Sequence, residues 1–217
     1  MNADIVALLG EGFIETVIMV IGSGVLGSII GIPLGVLLHV TDKGGLMPKL
    51  ATNAIVGVIV NAVRSTPFII LLVAIYPLTR LIVGTTIGTT ATLVPLVIGV
   101  APFIARLVET SLREVDRGLI EAAQSMGATN MQIINKVLIP EAMPGIVAGV
   151  TIAIVTLVGY SAMAGAIGGG GLGDICIRYG YNRYMLDVMW TVVLILVVFV
   201  QVIQSFGDWC VRKVSKR

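Results

Sequence analysis

Charge is scarce in this sequence. Charged residues make up 12% of its 217 positions, about half of the roughly 25% that is typical of soluble domains. A soluble globule of this size needs a charged surface, and so few charges cannot cover one. The composition therefore excludes a soluble enzyme, a disordered chain and a nucleic-acid-binding protein. The formal net charge of +2 is too small to matter by itself, so the positions of the charges carry the information.

The sequence also lacks the residue patterns of catalysis and cofactor binding. It contains no G-x4-G-K-[ST] segment that could hold ATP in a P-loop. It has one histidine and two cysteines, with no Cys/His cluster for a metal, and no nucleophile is placed beside a base. We therefore expect no enzymatic activity, no metal and no cofactor in this chain. Any energy for its work must come from a partner.

Long stretches without charge are the dominant feature that is present. The charge-free windows cover residues 16–41, 50–63, 65–79, 81–105, 142–173 and 188–207. A membrane-crossing helix needs about 20 mostly apolar residues, which four windows supply directly and the two beside Arg64 supply together. Because a backbone in lipid must satisfy its own hydrogen bonds, we predict an all-α polytopic membrane protein. It would form one transmembrane domain over 1–217, with spans near 13–40, 53–78, 88–108, 144–166 and 188–210.

Lysine and arginine are distributed unevenly between the two ends of these spans. If the N-terminus faces outwards, ten of the fourteen lie in inner segments, three lie in outer segments and Arg64 lies within a span. Short cytoplasmic loops carry the excess of positive residues in membrane proteins. The distribution therefore predicts that the N-terminus lies outside and the C-terminus inside.

The longest segment between spans, residues 109–143 on the predicted inner side, carries signals for two short helices. They are an N-cap at Asp116, a left-handed helix end at Gly127, a capping box at Thr129-x-x-Gln132 and helix-closing prolines at Pro140 and Pro144. We predict that the second helix covers 130–138. A simple linker between spans is the alternative, although a linker does not require such capping.

This segment resembles the EAA loop of ABC-importer permeases, whose pattern is E-A-A-x3-G-x9-I-x-L-P. The sequence departs from it conservatively, with Val137 and Ile139 in the two apolar positions. The residues that match are Glu121, Ala122, Ala123, Gly127 and Pro140. The resemblance implies a coupling helix that docks on a separate cytoplasmic ATPase. For Glu121, the alternative is a solvated loop charge or a partner of the helix dipole.

Four further segments are similar to permease subunits of methionine ABC importers: 64–72, 101–106, 127–133 and 157–163. The resemblance implies a type I ABC-importer permease fold in a bacterial inner membrane. It also implies a homodimer, two copies of an ATP-binding subunit and an extracytoplasmic substrate-binding lipoprotein. The cargo would be L- or D-methionine, and ATP would bind to the partner subunit alone. Membrane lipid would surround the complex, and no nucleic acid would bind to it.

Span four carries the candidate pathway residues. Thr156, Tyr160 and Met163 are spaced i, i+4 and i+7 and share one helix face, and Ser161 flanks them. A thioether substrate suits soft contacts such as Met163 and an aromatic ring. The alternatives are packing within or between subunits for Tyr160 and Met163, and hydrogen bonds to the helix's own carbonyls for the two hydroxyls.

Arg64 is the single charge that interrupts a predicted span, three residues before Pro67. A charge inside the membrane indicates a functional site. The alternative is that the helix begins later and Arg64 extends to the inner headgroups. In either case Pro67 is expected to bend span two, and a bent helix suits a gate.

Two other readings compete with the ABC permease. One is an ion-coupled secondary transporter, which would normally carry a membrane-embedded carboxylate or an inverted repeat. The other is a structural subunit of a membrane complex, which has no need of a coupling loop. A permease for another small amino acid also remains open. Gly168-x-Gly170-x-x-Gly173 matches the dinucleotide fingerprint in letters only, and we expect a flexible outer loop or a binding-protein contact there.

Overall fold

The computed structural model describes residues 3–215, and every regular element in that range is helical. Ten α-helices follow one another along the chain: α1 Ala3–Thr41, α2 Leu50–Ser65, α3 Phe68–Ala74, α4 Tyr76–Val83, α5 Thr89–Arg113, α6 Arg117–Ser125, α7 Asn130–Ile133, α8 Ile139–Ala164, α9 Gly171–Ile175 and α10 Leu186–Val214. Three π-helical turns join some of them, at Ile134–Leu138, Gly165–Gly169 and Cys176–Tyr181. The all-α prediction is confirmed for the described residues.

Four helical stretches of the described chain are long and apolar enough to cross a membrane by themselves: α1, α5, the run Asn130–Gly169 and α10. The fifth predicted span is not one straight helix. It is divided into α2 and α3, whose axes differ by 107° across the break at Thr66 and Pro67. The bend expected at Pro67 is therefore present. The five-span prediction holds when this bent pair is counted as one crossing.

Helix α5 forms the centre of the bundle. Twelve of its residues are buried, and it packs against α1 on one side and α8 on the other. Close approach to α1 depends on Gly31 and Gly35, because a Cβ at Gly31 would lie 2.6 Å from the carbonyl oxygen of Ala101. In a membrane, where lipid is as apolar as leucine, such small residues let helices associate through close backbone contact.

The second helix of the inner segment differs from its prediction. Pro140 and Pro144 do not close it, since α7 continues through a π turn into α8 without a break from Asn130 to Ala164. Pro140 lies in the first two positions of α8, directly after the π turn. The backbone hydrogen bonds change there from the pattern of the π turn to that of the α-helix. The missing N–H of Pro140 therefore leaves no gap in the helical hydrogen bonds. Span four is thus a direct extension of the inner segment.

The glycine-rich segment after span four is not an exposed loop. The chain turns back at Ile167 and Gly168, and Gly169 and residues 171–173 are buried. The carboxylate of Glu15 on α1 accepts a hydrogen bond from the Gly171 N–H at 2.6 Å. The Thr16 hydroxyl accepts another from the N–H of Leu172. The segment is therefore fastened to α1, and the expectation of a flexible loop is wrong in this respect.

We predict that Gly31→Ala lowers the melting temperature of the purified protein in detergent. The added methyl group meets the Ala101 carbonyl and must push α1 away from α5, and overpacking of this kind costs about 1–3 kcal/mol. Gly10→Ala is the matched control on the same helix, because nothing lies within 4 Å of a Cβ there. Equal melting temperatures for the two variants would contradict the packing described for α1 and α5.

Candidate functional site

A cavity of about 180 Å³ opens at the break between α2 and α3. The break creates it, because α2 ends at Ser65 and the chain turns sharply before α3 begins at Phe68. Helices α2, α3, α5 and α8 and the break itself supply the wall: Val63, Arg64, Thr66, Phe68, Leu71, Gly99, Phe103 and Tyr160. It thus lies inside the bundle and carries one charged group.

Arg64 lies in the last turn of α2, where its charge is favourable beside the helix C-terminus. It is exposed, and no carboxylate among residues 3–215 forms an ion pair with it. The helix begins fourteen residues earlier, at Leu50, so Arg64 does not precede the helical part of the span. At 1.5 Å per residue its Cα lies roughly 21 Å along the axis from that start.

An aromatic pair forms part of the cavity wall. The rings of Phe68 and Tyr160 stack with their centroids 4.2 Å apart and their planes 1° from parallel. Pro67 fixes the chain direction just before Phe68, in extended geometry, and so places that ring against α8. The structure therefore brings Arg64 and Tyr160 to one cavity, and Pro67 lies at the helix break that forms it.

The other three candidates on span four lie elsewhere. Met163 is 48% exposed on the surface of α8 and is not part of the cavity wall. The Thr156 hydroxyl donates to the carbonyl of Ile152 at 2.9 Å. Ser161 is only 1% exposed and donates to the carbonyl of Val158. Both hydroxyls satisfy their own helix, and Ser161 faces the core rather than the cavity.

A chain of polar groups that sequence reasoning missed runs from α2 to the end of α5. Arg106 donates to the Asn61 side chain at 2.9 Å and pairs with buried Glu109 at 2.6 Å. Glu109 also pairs with Arg113 at 2.6 Å, and Arg113 reaches Asp42 after α1. The i, i+3 and i+4 spacing of these charges on one helix is the signal that could have revealed the cluster.

The inner segment has the capped geometry that the sequence predicts. The Asp116 side chain accepts the Gly118 N–H at 2.7 Å and begins α6. Gly127 follows α6 with a φ of +80°, a value that favours glycine. Thr129 and Gln132 then form a reciprocal capping box at the start of α7. Two short helices are therefore joined by a hinge whose conformation is fixed on both sides.

The residues of the EAA resemblance lie on and around this hinge. Glu121 and Ala122 are exposed on α6, while Ala123 is buried and holds α6 against the bundle. Pro140 is exposed at the start of α8. Sequence reasoning missed the apolar side chains beside them, of which Met126 is 82% exposed and Met131 is 60% exposed. Exposed methionines of this kind suit an adaptable protein contact.

An all-helical bundle with a polar cavity at a broken span and a capped hinge at one end has the features of a transport permease. The model of the family described as "Binding-protein-dependent transport system inner membrane component" matches residues 11–217. The chain belongs to this family and is a multi-pass inner-membrane component of such a system.

Two similar proteins are named as permeases of methionine transport systems. The chain is 59% identical over 203 residues to the probable D-methionine transport system permease protein of Vibrio cholerae, covering 94% of this chain and 90% of that one. It is 46% identical to the methionine import system permease protein of Bacillus subtilis, covering 83% and 82% of the two chains.

A solved structure of the MetNI methionine ABC transporter in an inward-facing conformation contains a chain that is 53% identical, with a TM-score of 0.97 over 100% of both chains. The predicted type I ABC-importer permease fold and the resemblance to methionine importers are confirmed by these matches.

Proposed function

We propose that this protein is the permease subunit of an ATP-driven methionine importer. It would work as a homodimer with two copies of a separate ATPase and a substrate-binding lipoprotein outside the membrane. The names of the relatives and of the structural neighbour support this assignment. The chain itself would neither bind nor hydrolyse ATP, and it would need no metal or cofactor of its own.

The continuity of α7 and α8 carries the mechanistic part of the proposal. A helical run without a break extends from Asn130, three residues after the hinge at Gly127, to Ala164. Tyr160 lies on this run, roughly 45 Å along the axis from Asn130 at 1.5 Å per residue. A displacement imposed at the hinge would therefore reach the cavity wall without passing through a flexible joint.

The docking surface for the ATPase would be the exposed part of the hinge. Glu121 and Ala122 would contact the partner directly, while Ala123 holds α6 in place and Gly127 sets the angle between the two helices. The exposed side chains of Met126 and Met131 would fill apolar depressions on the partner. Pro140 begins the rigid rod and would keep its direction fixed.

The cavity at the helix break would be part of the substrate pathway. The guanidinium of Arg64 can pair with the carboxylate of a zwitterionic amino acid, and the Phe68–Tyr160 pair offers a polarizable wall for a thioether. Met163 would contact the substrate further along the surface of α8, with Thr156 beside it. Ser161 is buried and would support the helix instead. Pro67, at the bend, would allow α3 to move as a gate.

The lysine and arginine distribution supports an orientation with the N-terminus outside and the hinge at Gly127 inside. The hinge would then face the nucleotide-binding partner, as the mechanism requires. The glycine-rich segment Gly168–Gly173 would lie at the outer end, on the side of the binding protein.

Reconstituted into liposomes with its ATPase and binding protein, the permease is expected to accumulate methionine only when ATP is hydrolysed. A protonophore should leave uptake unchanged, because the energy comes from the ATPase rather than from an ion gradient. A panel of unlabelled amino acids added as competitors would establish the substrate class. Uptake that follows the proton gradient without ATP would instead favour a secondary transporter, and competition by another small amino acid alone would reassign the substrate.

Gly127→Val is expected to separate ATP hydrolysis from transport, because a β-branched residue cannot readily keep a φ of +80°. Nothing lies within 4 Å of a Cβ at this position, so the effect would come from the hinge angle rather than from a clash. Gly44→Val is the control, with a φ of +92° and equally open surroundings in another loop. Hydrolysis and uptake are measured on the same liposomes. Normal coupling in Gly127→Val, or equal loss in both variants, would contradict the role of the hinge.

Tyr160→Ala is expected to lower methionine uptake by up to about tenfold, since the substitution removes one ring of a stacked pair in the cavity wall, and such pairs contribute about 0.5–1.5 kcal/mol. Tyr160→Phe keeps the stack on Phe68 and should retain most of the uptake. Met163→Ala should change transport kinetics to a smaller extent. Co-purification with the ATPase is the control for assembly. Unaltered kinetics in Tyr160→Ala and Met163→Ala would show that these side chains only pack.

A further inference from the structure

The guanidinium of Arg106 connects α5 to α2. Its Nη2 donates to the side-chain oxygen of Asn61 on α2 at 2.9 Å, and its Nη1 pairs with Glu109 on α5 at 2.6 Å. The same group lies against the backbone of α2, because a Cβ added at Gly57 would be 3.8 Å from that Nη2. Gly57 and Asn61 are four residues apart and share one face of α2. Arg106 therefore spans the space between α5 and the last part of α2.

This contact lies one helical turn from the cavity on both helices. Asn61 is three residues before Arg64 on α2, and Phe103 is three residues before Arg106 on α5. Arg64 and Phe103 both line the cavity. Residues three apart are neighbours on a helix surface and are separated by roughly 4.5 Å along the axis. A displacement of Asn61 would therefore carry Arg64 with it.

Glu109 holds the guanidinium in this position. Its side chain is only 4% exposed, and it pairs with Arg113 as well as with Arg106. A buried carboxylate is tolerated only when charged partners compensate it, so the loss of one partner is costly. A planar guanidinium has five donors in a fixed fork. Arg106 can thus bond Glu109 and Asn61 at the same time.

Helix α2 is lightly packed, which makes this contact important for the position of its last turn. Of the sixteen residues that the structure describes in α2, Val60 alone is buried. Asn53 joins the start of the helix to α1 through side-chain hydrogen bonds. The Ser65 hydroxyl bonds back within α2, to the carbonyl of Asn61. The bond between Arg106 and Asn61 therefore attaches the end of α2 to the bundle, as Asn53 attaches its start.

We propose that Arg106 is a positioning residue for the substrate pathway. Through Asn61 it holds the last turn of α2 in the place where Arg64 lines the cavity, and Glu109 fixes Arg106 for this role. Arg106 is not part of the cavity wall, so it acts on the pathway through Arg64. The inference rests on the proposed function, in which the cavity belongs to the pathway, and adds the contact that sets the position of its charged group.

The first test is a double-mutant cycle on ATP-driven methionine uptake by liposomes that contain the complete transporter. Asn61→Leu removes the acceptor and should lower uptake about tenfold, as expected for the loss of a hydrogen bond to a charged group. Arg64→Ala should lower uptake as well. Asn61→Leu should have little further effect in the Arg64→Ala background, because the effects of residues that act together do not add. Asn61→Asp keeps an acceptor for Arg106 and should restore most of the uptake.

Asn53→Leu is the matched control for this cycle. It removes side-chain hydrogen bonds at the opposite end of α2, roughly 17 Å along the axis from Arg64. It should change uptake by the same factor whether Arg64 is present or replaced by alanine. Co-purification with the ATPase controls for assembly. An equal loss from Asn61→Leu in both backgrounds would contradict the proposal, because the contact would then serve packing alone. Full uptake in Arg64→Ala would overturn it too, since the contact would have no pathway residue to position.

A second measurement reports the position of the last turn of α2 without transport. The native thiols are removed by Cys176→Ser and Cys210→Ser, and Arg64→Cys is introduced as a probe. The rate at which a water-soluble maleimide modifies this cysteine is then measured in the purified transporter. Asn61→Leu should change the rate severalfold. Arg106→Lys should do so too, because a compact ammonium cannot span the two acceptors as a planar guanidinium does.

The maleimide rates also separate this proposal from the proposed function. Asn53→Leu should leave the rate at position 64 unchanged. Equal rates in all variants, or a change in Asn53→Leu as large as that in Asn61→Leu, would show that Arg106 does not hold the turn. Failure of the unaltered permease to accumulate methionine with ATP would instead refute the proposed function, and the rates would still decide whether Arg106 positions the end of α2.

Discussion

The constraint on which this structure depends is that a backbone in hydrocarbon must find its hydrogen-bond partners within the protein. Long continuous helices satisfy this constraint over most of the chain. The bent span is the exception, because its helix is interrupted at Thr66 and Pro67, where α2 and α3 diverge by 107°. An interrupted helix is tolerated at membrane depth where it lines a cavity or is buried in protein. The interruption therefore coincides with the cavity that contains Arg64 and Tyr160.

The remaining polar groups follow from the same constraint. Glu109 is buried but is held by two guanidinium groups, those of Arg106 and Arg113, so its charge is compensated where it leaves water. The Ser161 and Thr156 hydroxyls bond to carbonyls of their own helix.

Local signals in the sequence predicted local structure well. The cap at Asp116, the left-handed turn at Gly127, the capping box at Thr129 and the bend at Pro67 each depend on a few neighbouring residues, and each is present. Pro140 misled the prediction because a π turn, which no short motif announces, absorbs its missing N–H. The fold of residues 165–175 and the burial of Ser161 depend on packing against α1 and α5. The hydrophobic periodicity and the composition of a segment do not reveal such contacts between distant segments.

Helix α1 is fastened at two points to different parts of the molecule. About a third of the way along it, Glu15 and Thr16 hold the turn that follows α8. Just beyond its last residue, Asp42 is joined to Arg113 of α5. One attachment follows α8 and the other belongs to α5, so a tilt of α8 relative to α5 would strain both. Helix α1 therefore couples the position of the turn after α8 to the position of the end of α5.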